Sequence, residues 1–158
     1  DQYLQIIEEL RMARSDISIS SDFIVGFPGE RDKDFQETLN LVEKVGFDES
    51  YSFIYSPRPN TTAKDLKDDV SLAEKKKRLD LLQTALKKSS FRISRRMVGN
   101  IEKCLITGIS KKDPGELQAR TENNRVVNFN SKGKDLVGQF INLEIVEVMP
   151  NSLRGVMA

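Results

Sequence analysis

QARTENNRVVNF, residues 118–129, is the stretch that decides how the C-terminal part of the chain folds. Alternating residues flank a polar turn at residues 122–124, and adjacent asparagines tolerate the left-handed backbone of a tight turn, so a hairpin is predicted. Arg120 and Arg125 lie on either side of the turn, and Phe129 closes the second strand. Guanidinium groups pair with phosphate, amides reach base edges and an aromatic ring stacks on bases, so this hairpin suits RNA. An ordinary solvated hairpin fits the same residues.

Short strands separated by turn residues continue on both sides of this hairpin. From Gly99 onward, alternating segments occur at residues 101–109, 116–121, 126–130, 138–148 and 152–156. Five strands within about 60 residues predict a small antiparallel β-barrel of the oligonucleotide-binding type. We place the domain boundary so that residues 98–158 form this barrel and residues 1–97 form a separate α/β domain.

The first domain has the pattern of a β-α-β unit. We predict an amphipathic helix at residues 3–14, a strand at 17–27, a helix at 32–45 that Gly46 ends, and a second strand at 50–56. Both strands are rich in apolar residues, which is typical of strands covered on both faces. Strand, helix and strand at this spacing predict a parallel sheet or an α/β barrel.

A long helix is predicted between the two domains. Ser71 should cap its first turn, with Glu74 at the third position after it, and the helix should run to about Met97. One stripe of this helix is apolar and the opposite face is basic. We interpret the basic face as solvated, with a phosphate-facing surface at its C-terminal end as the alternative. That face comprises Lys75, Lys76, Lys77, Arg78, Lys87, Lys88, Arg92, Arg95 and Arg96.

Composition limits the location and the chemistry of the chain. Its 158 residues are 38% hydrophobic without a long apolar run, so we expect a soluble protein with no membrane span and no export leader. Cys104 is the single cysteine, which fits a reducing cytoplasm and leaves no thiolate pair for a zinc or iron-sulfur site. Histidine, the commonest general base, is absent. We therefore expect no catalysis by this chain alone. Because the first helix begins without a capping residue, we also expect the chain to be part of a larger protein.

The net charge of +1 hides an uneven distribution of charged side chains. Residues 1–94 carry 15 basic and 17 acidic side chains, whereas residues 95–158 carry 10 basic and 7 acidic. The excess of positive charge therefore lies with the predicted barrel, and it indicates a polyanionic partner.

The segment DFIVGFPGE, residues 22–30, is the candidate ligand-binding turn of the first domain. Glycines at the carboxyl end of a strand let a ligand approach the backbone, and ligands bind at that edge of a parallel sheet. The N-terminus of the following helix can favour an anion. A tight strand-to-helix turn that needs glycine only for its geometry is the alternative.

Four segments together resemble a known family. DFIVGFPGE, YSFIYSPRP, RTENNRVVNF and PNSLRG are similar to segments of the radical S-adenosylmethionine methylthiotransferases. The resemblance covers the whole chain, and it implies the last portion of a radical-SAM, TIM-like barrel followed by a TRAM domain. The CxxxCxxC triplet that opens the barrel in that family does not occur in this chain.

The resemblance implies that the parent protein is a tRNA-modifying enzyme. Such an enzyme uses two 4Fe-4S clusters and S-adenosylmethionine to add a methylthio group to C2 of N6-isopentenyladenosine, at the position 3' of the anticodon. That carbon is unactivated, so a 5'-deoxyadenosyl radical must abstract its hydrogen. The cluster ligands are absent from this chain, so we expect the fragment to be inactive by itself.

The resemblance also implies roles for individual residues, without assigning a catalytic residue or a metal ligand. The cofactor side of the barrel would include Asp22, Ile24, Gly26, Pro28, Gly29, Glu30, Tyr55, Ser56 and Arg58. The surface that binds the tRNA anticodon stem-loop would include Arg120, Asn123, Asn124, Arg125, Phe129, Asn151, Ser152 and Arg154. Where the family commonly has RPGT, this chain has RPNT, and Asn60 should keep that turn because asparagine accepts a positive φ.

Other interpretations stay open beside this one. A related enzyme of the family methylthiolates a ribosomal-protein aspartate, and the string RTENNRVVNF favours the tRNA enzyme instead. A stand-alone RNA-binding module and a protein-interaction domain are alternatives of different classes. Because a partial barrel leaves strand edges unpaired, we also expect the first domain to associate with a second copy or with another chain. We expect neither DNA nor a membrane as a partner.

Overall fold

The computed structural model describes residues 2–158, which form two compact units, one ending at Phe91 and the other running from Arg92 to Ala158. The first unit contains α1 (Gln2–Ala13), β1 (Asp22–Val25), α2 (Asp32–Val45), β2 (Tyr51–Ile54) and a 3₁₀ turn (Thr62–Asp65). The helix α3 (Leu72–Arg96) begins in the first unit, and its last residues belong to the second. The second unit contains β3 (Ile101–Ile109), β4 (Leu117–Arg120), β5 (Val126–Phe129), β6 (Phe140–Met149) and β7 (Ser152–Met157).

The predicted β-α-β unit is confirmed. Strands β1 and β2 pair in parallel, with Asp22 opposite Tyr51 and Val25 opposite Ile54. The connecting helix α2 has the predicted bounds, and Gly46 ends it with the left-handed φ of 62° that a side chain would strain.

Only one face of this two-stranded sheet is covered, so the prediction of strands buried on both faces is wrong. Phe23 and Val25 are buried in a core formed with side chains of all three helices. Ile24, Tyr51 and Phe53 point the other way and are 59%, 71% and 53% exposed. The strands are also shorter than predicted, with four residues each, and within residues 2–158 this sheet has two strands.

Helix α3 begins as predicted, but its basic face is not uniformly solvated. The Ser71 hydroxyl accepts a hydrogen bond from the Glu74 amide at 3.2 Å, and Leu82 and Leu86 are buried on the apolar stripe. Lys75 and Arg78, assigned to the solvated face, are both buried. Their acidic partners come from the turn after β1 and from the loop before α3, so their burial is compensated by charge.

The second unit is a closed five-stranded barrel with the strand order β3-β4-β5-β7-β6. Its pairs are antiparallel as predicted, except that β5 and β7 run parallel, with Val127 opposite Leu153. Nine buried residues fill its core: Met97, Cys104, Ile106, Ala119, Val127, Phe129, Leu143, Ile145 and Leu153. No helix within residues 2–158 is long and apolar enough to cross a membrane.

The Cys104 thiol lies in the barrel core and provides a probe of folding. Burial raises the pKa of this thiol to about 11, and the charge of Glu102 adds to the effect. The thiolate is the reactive form, so iodoacetamide at about pH 8 should leave the folded chain unlabelled and should label the urea-unfolded chain quickly. Mass spectrometry counts the label, and rapid labelling of the folded chain would contradict the burial of Cys104.

Candidate functional site

The turn after β1 brings together several residues of the proposed cofactor side. Gly26 and Gly29 adopt φ of 70° and 83°, so both positions need glycine for the backbone conformation. Tyr55 follows β2 and donates its amide to the Val25 carbonyl at 2.9 Å. The rings of Phe27 and Tyr55 meet edge to face, with centroids 5.1 Å apart. Parallel pairing therefore places the ends of both strands side by side, as the β-α-β prediction requires.

The space above Gly26 is filled by the protein itself. A Cβ built on Gly26 would lie 2.3 Å from Cγ of Lys75, whose stem crosses the glycine. The ammonium of that lysine lies 2.6 Å from a carboxylate oxygen of Asp68 and 5.4 Å from the centroid of the Tyr55 ring. The idea that this glycine opens the backbone to a ligand is wrong, because α3 closes the position with a side chain.

A buried arginine ties the same turn to α3. The Glu30 carboxylate accepts a hydrogen bond from the Gly26 amide, and Arg78 lies 3.5 Å from that carboxylate. Arg78 also donates to the Glu30 carbonyl at 2.9 Å, to Asp32 at 2.7 Å and to Glu74 at 3.1 Å. Burial alone would lower the pKa of Arg78, but the hydrogen bond that it donates to Asp32 and the charge of Glu30 raise it. The turn is therefore held in one conformation by charged partners.

The N-terminus of α2 is occupied by the acidic side chains of the helix itself. Asp34 accepts hydrogen bonds from the Arg31 amide at 2.9 Å and from its guanidinium at 3.0 Å. The Arg31 side chain holds the pKa of the Asp34 carboxyl at about 2. An anion at this helix end would compete with a carboxylate already in place, so the predicted anion site there is not supported.

The other residues assigned to the cofactor side are spread over an open surface. Asp22 and Ile24 lie on the uncovered face of the sheet, while Gly29, Ser56 and Arg58 are exposed and Pro28 is half-buried. The Gly29 amide is held by Asp69 at 2.8 Å. The turn after β2 keeps its form, because Asn60 adopts the predicted positive φ of 64°.

The fit of the implied cofactors differs between the two kinds. Among the described residues no group of three or more His, Cys, Asp or Glu could hold a metal ion, so 4Fe-4S clusters do not fit here. For S-adenosylmethionine, the apolar contacts that this turn offers are Ile24 and the 42% exposed ring of Phe27. Gly26, Glu30 and Tyr55 would then hold the turn in place.

The hairpin between β4 and β5 is closed by side-chain hydrogen bonds. The loop covers residues 121–125, and Asn124 has the predicted left-handed φ of 66°. Arg120 donates to the Asn124 carbonyl at 2.7 Å and to its side-chain oxygen at 3.2 Å. The Thr121 hydroxyl donates to Asn123 at 2.6 Å and accepts from the Arg125 amide at 2.9 Å. These hydrogen bonds close the loop on itself, with Asn124 and Glu122 exposed and Arg120 half-buried.

Two of the residues assigned to RNA are not on the surface, and these assignments are corrected. Phe129 is 0% exposed in the barrel core, so its ring offers no face to a base. Arg125 is 3% exposed, and its guanidinium donates to the Ser94 hydroxyl at 2.9 Å. Both residues stabilise the barrel. Phe129 is buried because it shares the inward phase of Val127 on β5.

The turn between β6 and β7 lies at the same end of the barrel as the hairpin. Because β5 and β7 are parallel and Val127 is opposite Leu153, Ser152 starts its strand beside the start of β5. Asn151 is exposed just before it. Arg154 faces outward opposite Asn128, and its guanidinium lies 2.6 Å from Glu116, which raises the pKa of Arg154. The structure thus places the remaining assigned residues on β4 and β7, which flank β5, and in the two turns at the same end of the barrel.

Comparison with known proteins agrees with this barrel. The family described as TRAM domain matches residues 95–158. Residues 95–158 are a TRAM domain.

The relatives extend the similarity to the whole chain. Proteins named tRNA-2-methylthio-N(6)-dimethylallyladenosine synthase from Chromohalobacter salexigens and Pseudomonas savastanoi are 54% and 58% identical to it. The alignments cover 100% and 98% of this chain and 36% and 35% of those proteins. The chain is homologous to the C-terminal part of these synthases and spans about a third of their length.

Sequence reasoning missed two residues on the exterior of the TRAM domain. Phe140 on β6 is 62% exposed, and the ammonium of Lys103 on β3 lies 5.2 Å from the centroid of its ring. The alternation of side chains along β6 could have identified Phe140. Leu143 and Ile145 point into the core, so Phe140, three residues before Leu143, points outward. An aromatic residue on the solvent phase of a barrel strand is a candidate for binding.

Proposed function

We propose that this chain is the C-terminal part of a radical S-adenosylmethionine methylthiotransferase acting on tRNA. In the whole protein, the methylthio group would be added to C2 of N6-isopentenyladenosine at the position 3' of the anticodon. The observation that carries the proposal is 54–58% identity to synthases of that name, joined to a TRAM domain. A substrate of this kind implies a cytoplasmic protein.

The role of the TRAM domain in this proposal is to hold the anticodon stem-loop. Arg120 and Asn124 on the hairpin, together with Asn151, Ser152 and Arg154 beside it, present cations and hydrogen-bonding groups to a phosphate backbone. Asn123 orients the loop through Thr121. Residues 95–158 carry the excess of positive charge, which would attract a polyanion.

The first unit would be the end of the cofactor-binding barrel in the whole protein. The uncovered face carrying Ile24, Tyr51 and Phe53 is a side that further strands would enclose. Bound S-adenosylmethionine would supply the radical for an unactivated carbon, and two 4Fe-4S clusters would be held by residues outside this chain. Asp22, Pro28, Gly29, Ser56 and Arg58 would line the same cavity. In the isolated fragment, which would be inactive, we propose that the unpaired strand edges of this sheet recruit a second copy or another chain. Sedimentation as a monomer at high concentration would refute that.

RNA binding by the present chain tests the proposal. We expect it to bind an anticodon stem-loop RNA with an affinity that falls steeply with salt, because phosphate contacts release counterions. Arg120→Ala should weaken binding by about 1 to 3 kcal/mol. Fluorescence anisotropy of labelled RNA across a salt series measures both effects.

Lys44→Ala is the matched control, because it removes one exposed positive charge from α2 in the first unit. It should leave the affinity unchanged. Protection of Cys104 from iodoacetamide shows that the Arg120 variant is folded. Equal affinities of the two variants, or binding that ignores salt, would favour a protein-interaction domain over an RNA-binding one.

A further inference from the structure

A row of side chains crosses three strands on the exterior of the TRAM domain. Leu105 on β3 lies opposite Arg120 on β4 and opposite Phe140 on β6. Directly opposed residues share a face of the sheet, and the neighbours of Leu105 along β3, Cys104 and Ile106, are buried. The row therefore points outward, with a cation at one end and an aromatic ring at the other.

The row forms one wall of a shallow cleft. A cavity of about 330 Å³ is lined by Lys103, Leu105, Arg120 and Phe140, by Glu102 of β3, and by Thr121 and Glu122 of the hairpin. This volume is at the small end of the range for ligand sites, about 300 to 1,000 Å³. The cleft suits a group of nucleoside size rather than a helix or a peptide strand.

The chemistry of the cleft matches an unpaired nucleotide. The exposed Phe140 ring supplies a flat apolar face on which a base can stack. The Lys103 ammonium lies 5.2 Å from the centroid of that ring, and Arg120 lies at the other end of the row, so both cations are on the side of the domain where the phosphates flanking a stacked base would lie. Bases inside a duplex are stacked on each other, so a face of this kind selects the single-stranded parts of an RNA.

We propose that this cleft binds one unpaired base of the RNA by stacking on Phe140, with its backbone phosphate held by Lys103 and Arg120. The proposal rests on RNA being the partner of the TRAM domain. It adds a subsite on the β3–β6 side of Arg120, separate from the β5–β7 side that carries Ser152 and Arg154.

Substitutions at Phe140 test the subsite in the full 158-residue chain. Phe140→Ala should weaken binding of a hairpin RNA with a single-stranded loop by about 5- to 100-fold, the cost of losing one base–aromatic stack. It should leave binding of a fully paired duplex of the same length unchanged. Val156→Ala, which trims another exposed apolar side chain on β7, should affect neither RNA.

A tryptophan at the same position gives a direct reading of stacking. The chain contains no tryptophan, so Phe140→Trp introduces a single reporter whose affinity for the hairpin should match that of the unmodified chain. Its fluorescence should be quenched by the hairpin and not by the duplex, because only an unpaired base can stack on the indole.

The outcomes separate the subsite from the proposed function. If the unmodified chain binds hairpin RNA and Phe140→Ala binds it equally well, the subsite is wrong and the RNA-binding role stands. Equal losses for hairpin and duplex would also overturn the subsite, because they would indicate an effect that does not involve a base. If the unmodified chain binds no RNA, both proposals fail.

Discussion

Arg78→Met should lower the free energy of unfolding of the first unit by about 3 kcal/mol. The Arg78 side chain is 5% exposed, and its guanidinium faces the Glu30 carboxylate, which is itself only 12% exposed. Methionine keeps most of the packing volume but leaves that carboxylate without its counter-charge, and an uncompensated buried charge is costly. The contact with Asp32 adds little, because that side chain is 95% exposed and well solvated.

The measurement uses a probe confined to one unit. All three tyrosines of the chain, Tyr3, Tyr51 and Tyr55, lie in the first unit and no tryptophan is present, so tyrosine fluorescence in urea reports its unfolding. Arg31→Met is the matched control: its exposed pair with Asp34 is screened by solvent and should contribute little to the stability. Equal losses of unfolding free energy for the two substitutions would show that the buried contacts of Arg78 do not stabilise the first unit.

Phe129→Ala should destabilise the TRAM domain by about 3 to 5 kcal/mol, because it removes a fully buried ring from a small core. Phe140→Ala deletes the same ring from the surface of the same domain, where the side chain is 62% exposed. That change should cost less than about 1 kcal/mol. The Phe129 substitution therefore tests the stability of the barrel, whereas the Phe140 substitution tests its binding surface.

The rate at which Cys104 is alkylated in increasing urea measures the stability of this domain, because Cys104 is the single thiol and lies in the barrel core. The Phe129 variant should expose Cys104 at much lower urea, whereas the Phe140 variant should follow the unmodified chain. A Phe129 variant as stable as the unmodified chain would contradict the assignment of its ring to the core.

Elements defined by local sequence were predicted closely. Helix α2 has its predicted bounds because an amphipathic pattern ends at Gly46. Strand β3 also has its predicted bounds, although its register with β4 shifts between Ile106 and Gly108. The Asn124 and Asn60 turns also follow from local chemistry, since both residues adopt the left-handed backbone. Such features depend on residues within a few positions along the chain, so they can be predicted from a short stretch of sequence.

Features that depend on distant partners were not predicted. Arg78 was assigned to the solvated face because its partner Glu30, in the β1–α2 turn, lies far away along the chain. Lys75 was assigned there because Gly26, which its stem covers, is equally distant in sequence. The exposed face of the β1–β2 sheet was missed for a similar reason, because the number of strands in a sheet cannot be derived from the pattern of one strand. Phe129 is a different case. It lies two residues after Val127 on β5, so the strand alternation already predicted that its ring points into the barrel. The sequence interpretation instead assigned it to RNA because aromatic rings stack on bases.

The most direct test of the account is to map where RNA touches the chain. Amide chemical shifts of the ¹⁵N-labelled chain, recorded while an anticodon stem-loop RNA is added, report contact residue by residue. We expect shifts at Arg120 and Asn124, at Ser152 and Arg154, and at Lys103 and Phe140, with few shifts among residues 2–91. Shifts confined to the first unit, or none at all, would contradict an RNA-binding role for the TRAM domain.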